Sequence, residues 1–174
     1  MKETDGLQLL IESAQKGSHE DFRVVYERFV DRLFSYVFSH TKDRTKAVDV
    51  TQDTFVDLWQ ALGTFVYKSE EQFLGFLFII VKRKLSAYYK KEKRHEKVEI
   101  TSLNEISYEE HHEDYRNVIT ALENLSQSYQ DVVRLRYWGD LSFSEIGKTM
   151  GIREEAARIL HHRALKKLQN TMQQ

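Results

Sequence analysis

The chain has 174 residues, enough to bury one sizeable core or two small ones. A formal net charge of −1, with 30% charged residues of both signs, leaves no global field, so a partner attracted by charge must meet a local patch. The absence of cysteine excludes disulfides and thiolate metal sites and fits a reducing compartment, and without proline and with only seven glycines the chain is expected to form long helices.

The opening MKETDGLQLL lacks the apolar segment and small-residue cleavage site of a signal peptide. Leu7, Leu10, Ile11 and Ala14 then mark the inner face of a short helix. Ser18, with Asp21 three residues on, opens a long helix whose face repeats at steps of three and four through Phe22, Val25, Tyr26, Phe29, Val30, Leu33, Phe34, Val37 and Phe38. After HTKDRTK, the stretch AVDVTQDTFVDLWQAL sets Ala47, Val50, Thr51, Phe55, Leu58, Trp59 and Leu62 inside and leaves Asp49, Gln52, Asp53 and Gln60 outside. GTFVYKSEEQ reads as a loop, and FLGFLFIIVKRKLSAYYKKEKR as another long helix, apolar in its first half and basic in its second. Its most apolar run, residues 74–81, is far shorter than the roughly 18 residues of a membrane span, so no membrane insertion is expected and the chain reads as cytoplasmic.

Charge then reverses. Residues 82–97 carry eight Lys or Arg against two Glu, whereas residues 98–114 carry six Asp or Glu and neither Lys nor Arg. So abrupt a change, in a stretch poor in apolar residues, marks a linker. The expected fold is all-α: a helical domain over residues 1–95, an acidic linker over 96–114, and a second helical domain over 115–174 that contains a helix-turn-helix.

In that second domain Val118, Ile119, Leu122 and Leu125 make a helix, and a further one runs from Val132 to near Gly139. In LSFSEIGKTMGIREEAARILHHRALKKL, Ser142 and Glu145 form an S-x-x-E capping box, Ile146 and Met150 give an inner face, and Gly151 permits a sharp turn. The next helix, from about Arg153, is expected to bury Ala156, Leu160, Ala164 and Leu168, with Ala157 beside them, and to expose Arg158, His162, Arg163, Lys166 and Lys167. A short helix, a glycine turn and a helix with a cationic outer face form the arrangement by which a recognition helix enters the major groove. Cations near a helix end also complement its dipole and keep a surface soluble, but capping box, glycine and basic helix in this order favour DNA reading.

A second DNA candidate is KRKLSAYYKKEKRH, where Tyr88 and Tyr89 interleave with cations. Such a stretch suits unpaired or distorted DNA, through phosphate neutralisation and base stacking; equally, the tyrosines finish a core and the lysines are solvated. The pairs His111/His112 and His161/His162 are adjacent, so on a helix they point about 100° apart and do not form a metal site. No cofactor is expected. With no phosphate-binding glycine loop, no thiol and no His/carboxylate cluster at ligand spacing, the chain does not read as an enzyme.

Three stretches in order, AVDVTQDTFVDLW, FLGFLFIIVKRKLSAYYKKEKR and LSFSEIGKTMGIREEAARILHHRALKKL, give the chain, from about Leu7 to Leu168, a resemblance to the extracytoplasmic-function sigma factors of bacterial RNA polymerase. The resemblance implies that Asp49, Gln52, Asp53 and Phe55 bind core polymerase, and that Phe65, Tyr67 and Lys68 lie in the loop that captures a flipped base of the minus-ten element. It implies that Lys82, Arg83, Lys84, Tyr88, Lys90 and Lys91 hold the melted strand. On the minus-thirty-five element, Arg158, Ile159 and His162 would face base edges, and Arg163 and Lys166 the phosphates. The family's usual residues are absent at Val48, Phe76, Arg83, Ala87, Gly147, Arg153, Ile159 and His161.

The expected function is therefore that of a sigma factor, with core RNA polymerase and promoter DNA as partners and an anti-sigma factor as a further one. The alternatives are a helix-turn-helix regulator that never enters the polymerase, which would bind duplex DNA alone, and a protein-binding helical adaptor, which would show no salt-dependent DNA binding.

Overall fold

The computed structural model describes residues 6–96 and 112–172, which form eight α-helices with no strand among the described residues. They divide into two compact units, one ending at Lys90 and one beginning at Lys91. The acidic stretch, including Glu109 and Glu110, lies largely outside the described residues, as does His111 of the first histidine pair.

The first unit begins with α1 (Gly6–Gln15), whose buried Leu7, Ile11 and Ala14 keep the helical spacing; Leu10 is only half-buried. A turn through Gly17, at φ 97, leads to Ser18, which caps α2 (His19–Thr41) by accepting from the Asp21 amide. The hydroxyls of Ser13 and Ser18 both donate to the Asp21 carboxylate, so one side chain joins the end of α1 to the start of α2. Those two bonds, Ser13 first, hold Asp21 below the usual carboxylate range.

Helix α2 buries Val25, Phe29, Leu33, Tyr36 and Val37 and ends at Lys42, in the left-handed region at φ 55. Asp43 caps α3 (Arg44–Leu62), which buries Ala47, Val50, Thr51, Thr54, Phe55, Leu58 and Leu62. Gln15 donates to the carbonyls of Leu62 and Phe65, tying α1 to the end of α3 and to the loop that follows, and the Leu62 carbonyl also accepts from the Phe65 amide. Ser69 starts α4 (Glu70–Glu96), and the apolar run predicted within it is buried from Phe73 to Val81 except at Phe76 and Ile79. Aromatic pairs lock the helices together: Phe29 with Phe73 at 5.5 Å, Tyr36 with Phe78 at 5.1 Å and Tyr26 with Phe55 at 4.7 Å between ring centroids. None of the described helices is long and apolar enough to cross a membrane.

The second unit packs α5 (His112–Glu123), α6 (Gln127–Tyr137), α7 (Phe143–Met150) and α8 (Glu154–Met172) around Leu122, Val132, Leu135, Leu141, Ile146, Ala157 and Ala164. Gln130 donates to the carbonyls of Glu123 and Leu125 and accepts from the buried guanidinium of Arg134 at 2.7 Å. A buried cation is tolerated only with such partners.

Candidate nucleic-acid interface

The helix-turn-helix is assembled from local bonds. Ser142 accepts from the Glu145 amide at 3.2 Å while Glu145 accepts from the Ser142 amide at 2.6 Å, so α7 starts where the sequence places it. Gly151, at φ 71, ends the helix in the left-handed region. Gly147 admits the returning chain: a Cβ there would lie 2.8 Å from the Ile152 carbonyl oxygen, closer than such contacts come.

Helix α8 buries Ala157, Ala164 and Leu168. Ala156, expected to face inward, is exposed, and Ala157 takes its place. The outer face carries Arg158, Ile159, His162, Arg163 and Lys166, all exposed. Lys167 leans over Tyr129 of α6, 5.9 Å from the ring centroid. Arg158 is not loose: it pairs with Glu154 at 2.8 Å and lies over the Phe143 ring, 4.9 Å from the centroid.

His161 sits at the edge of this face, its ring 5.2 Å from Phe143 and 5.6 Å from Tyr137, with a buried Nε2 that finds no hydrogen-bond partner among the described residues. Burial first, then the charges of Arg136 and His162, hold its pKa below the ordinary imidazole value. The imidazole thus substitutes for an apolar side chain.

On α4 the second half of the helix turns its cations outward. Arg83, Lys90 and Lys91 are exposed, and Lys82, Lys84 and Tyr88 are half-buried. Asp57 of α3 accepts from Lys84 at 2.8 Å and from Arg83 at 3.4 Å, so two of these cations are already partnered within the protein. The Tyr89 hydroxyl donates to the His40 carbonyl at 2.6 Å and fastens α4 to α2, while the Tyr88 ring meets Tyr89 edge-on and lies beneath Lys46, 5.7 Å from its centroid. In the loop between α3 and α4, Phe65 stacks on Phe76 at 4.7 Å and meets Phe73 edge-on, Tyr67 is half-buried, and Lys68 is exposed. Val66, 69% exposed, is an apolar loop side chain open to a partner that the sequence pattern does not single out.

The outer face of α3 presents Asp49, Gln52 and Asp53, with exposed Val48 and Val56 on either side. Their spacing puts Asp49, Gln52, Asp53 and Val56 on one stripe, an exposed surface that mixes acidic and apolar side chains. Phe55 is only 4% exposed and packs against Tyr26 and Phe22, so it supports this surface from below. Among the described residues no three His, Asp or Glu side chains come together as a metal site.

Two family models match the chain: sigma-70 region 2 over residues 25–95 and sigma-70 region 4 over residues 121–170. The chain is 29% identical over 171 residues to the ECF RNA polymerase sigma factor BldN of Streptomyces coelicolor, covering 91% of this chain and 63% of that protein. It is 25% identical to the RNA polymerase sigma factor YlaC of Bacillus subtilis, covering 85% of this chain and 90% of that one. The fold is similar to CnrH solved with the cytosolic domain of CnrY, at a TM-score of 0.72 and 23% identity over 95% of this chain and 96% of that one. It is also similar to the sigma factor RpoE solved with the anti-sigma factor NepR, at a TM-score of 0.70 and 19% identity over 88% and 98% of the two chains.

Proposed function

The chain belongs to the sigma-70 family, among the extracytoplasmic-function sigma factors of bacterial RNA polymerase, and on that premise we propose that it joins core polymerase through α3 and directs initiation at promoters that it reads with α4 and α8. Residues 1–95 form the domain for core polymerase and the minus-ten element, residues 96–114 the acidic linker, and residues 115–174 the domain for the minus-thirty-five element. Asp49, Gln52 and Asp53 contact the polymerase, with Phe55 holding the helix in register. Lys82, Arg83, Lys84, Tyr88, Lys90 and Lys91 hold the melted strand, and the loop of Phe65, Tyr67 and Lys68 receives a base of the minus-ten element. Arg158, Ile159 and His162 meet base edges, and Arg163 and Lys166 meet phosphates.

One observation carries this reading: a single chain holds both a region 2 unit with an exposed Asp49, Gln52, Asp53 stripe and a region 4 unit with a cationic recognition helix. A regulator acting without polymerase would leave the α3 stripe without a task. The chain is not an enzyme, since polymerase performs the chemistry. Its place of work is the cytoplasm, where polymerase and chromosome meet. The complex of RpoE with the anti-sigma factor NepR supports an anti-sigma factor as a further partner of this chain.

The decisive test is transcription in vitro with purified core polymerase over a promoter library. The expected result is a stable holoenzyme that selects a bipartite consensus. A chain that binds no core polymerase overturns the reading.

A further inference from the structure

We propose that Phe143 is a positioning residue for promoter recognition, fixing the Arg158 guanidinium before DNA arrives; this rests on the reading of Arg158 as a base contact. Arg158 has a long side chain on an exposed face, 62% accessible, and an unrestrained arginine there would lose its rotamer freedom on meeting a base. It is restrained instead. Glu154 holds one nitrogen at 2.8 Å, and the Phe143 ring lies beneath the guanidinium carbon at 4.9 Å.

Phe143 can serve as that platform because it is itself held from several sides. It is the first residue of α7, directly after the reciprocal Ser142 and Glu145 cap. Arg136 lies over the same ring at 5.2 Å and is anchored by donating to the Leu141 carbonyl at 2.8 Å. The His161 ring meets it edge-on at 5.2 Å. A guanidinium resting on an aromatic ring keeps the donors in its own plane directed outward, and those that Glu154 does not hold can meet the acceptors on a guanine edge. The ring thus sets where the arginine stands and leaves its base-reading edge available.

The test is holoenzyme transcription over a library randomised across both promoter elements, with wild type, Arg158→Ala, Phe143→Leu, Phe143→Tyr and the Phe143→Leu/Arg158→Ala double variant, alongside thermal melting of each. Arg158→Ala is expected to flatten preference at one or two adjacent minus-thirty-five positions. Phe143→Leu flattens the same positions roughly two- to fivefold, the worth of an exposed cation–π contact, and leaves the minus-ten profile alone. Phe143→Tyr keeps the preference, and Phe143→Leu adds nothing to the profile once Arg158 is gone. If Arg158→Ala changes the profile and Phe143→Leu does not, or lowers activity uniformly with a fall in melting temperature, the positioning role is overturned while base reading stands. If Arg158→Ala leaves the profile unchanged, the base-reading assignment itself fails and the proposal with it.

Discussion

His161 stands against Phe143 and Tyr137 in a site that favours a neutral ring. Its pKa is lowered by burial, by Arg136 and by His162, so the unfolded chain takes up a proton more readily than the folded one. The stabilising contribution is therefore complete above the ordinary imidazole value near 6.5 and is lost as pH falls from there through the lower, folded value. Thermal melts from pH 7.5 to 5 should show the wild type losing more stability than His161→Leu; parallel curves would remove His161 from the pH response. Asp57 carries a second prediction. On the proposed reading its carboxylate would compete with phosphate for Arg83 and Lys84; the contact to Arg83, 69% exposed, adds little to stability, whereas the shorter contact to Lys84 is largely covered and adds more. Asp57→Asn should tighten holoenzyme binding to a single-stranded minus-ten oligonucleotide by at least about two- to fivefold at low salt, the worth of the exposed Arg83 contact alone, with a steeper salt dependence. Fluorescence anisotropy in a salt titration measures both, and a salt dependence equal to that of wild type would show that the two cations do not touch phosphate. Neither Asp57 nor Phe143 was legible beforehand. The Ser142 and Glu145 cap joins residues three apart and is written in the chain, whereas Asp57 meets Arg83 across 26 positions, and only packing brings them together.

At the scale of elements, helix positions are legible because apolar spacing is local, but Tyr36 of α2, buried outside the expected face, and the face of α8 show where that stops. Ala156, Leu160, Ala164 and Leu168 repeat every four residues, but at 100° per residue Ala156 lies about 120° from Leu168, while Ala157 lies only about 20° away. A four-residue step drifts around the helix, so Ala157 is buried and Ala156 faces solvent. The start of α8 is legible in another sense. Arg153 stands just before it and its carbonyl accepts from the Ala157 amide, but arginine has no side-chain oxygen to cap the first turn. Arg153→Ser should stabilise the second unit by about 1 kcal/mol, seen as a higher denaturant midpoint with an unchanged slope. Gly147→Ala should act the other way, even though alanine favours a helix by about 1 kcal/mol over glycine. The new methyl would press on the Ile152 carbonyl at 2.8 Å, and overpacking against backbone costs about 1 to 3 kcal/mol, so the net effect is a loss or at best no gain. A clear rise in the midpoint would mean that the turn has room to relax.

Over the whole molecule the net charge of −1 conceals two opposed blocks, a basic stretch with eight Lys or Arg in residues 82–97 and an acidic stretch with six Asp or Glu in residues 98–114. This partition was legible in full, because charge order along a chain needs no folding to be read. If the acidic block follows a cationic nucleic-acid channel of polymerase, its carboxylates contribute attraction to core and deter stray DNA from the free factor. Replacing Glu109, Glu110 and Glu113 with Gln and Asp114 with Asn raises the formal charge by four and removes that contribution without shortening the linker. The variant should bind core polymerase more weakly, initiate less often and adsorb more readily to non-promoter DNA. Each difference from wild type should shrink as ionic strength rises, since exposed charges more than about 8 to 10 Å apart are largely screened near physiological salt. Competition for core polymerase at two salt concentrations, read beside single-round transcription, separates the outcomes. A defect that persists at high salt points to specific contacts rather than to the field, and equal affinity and initiation at both would make the stretch a spacer between its two reading domains.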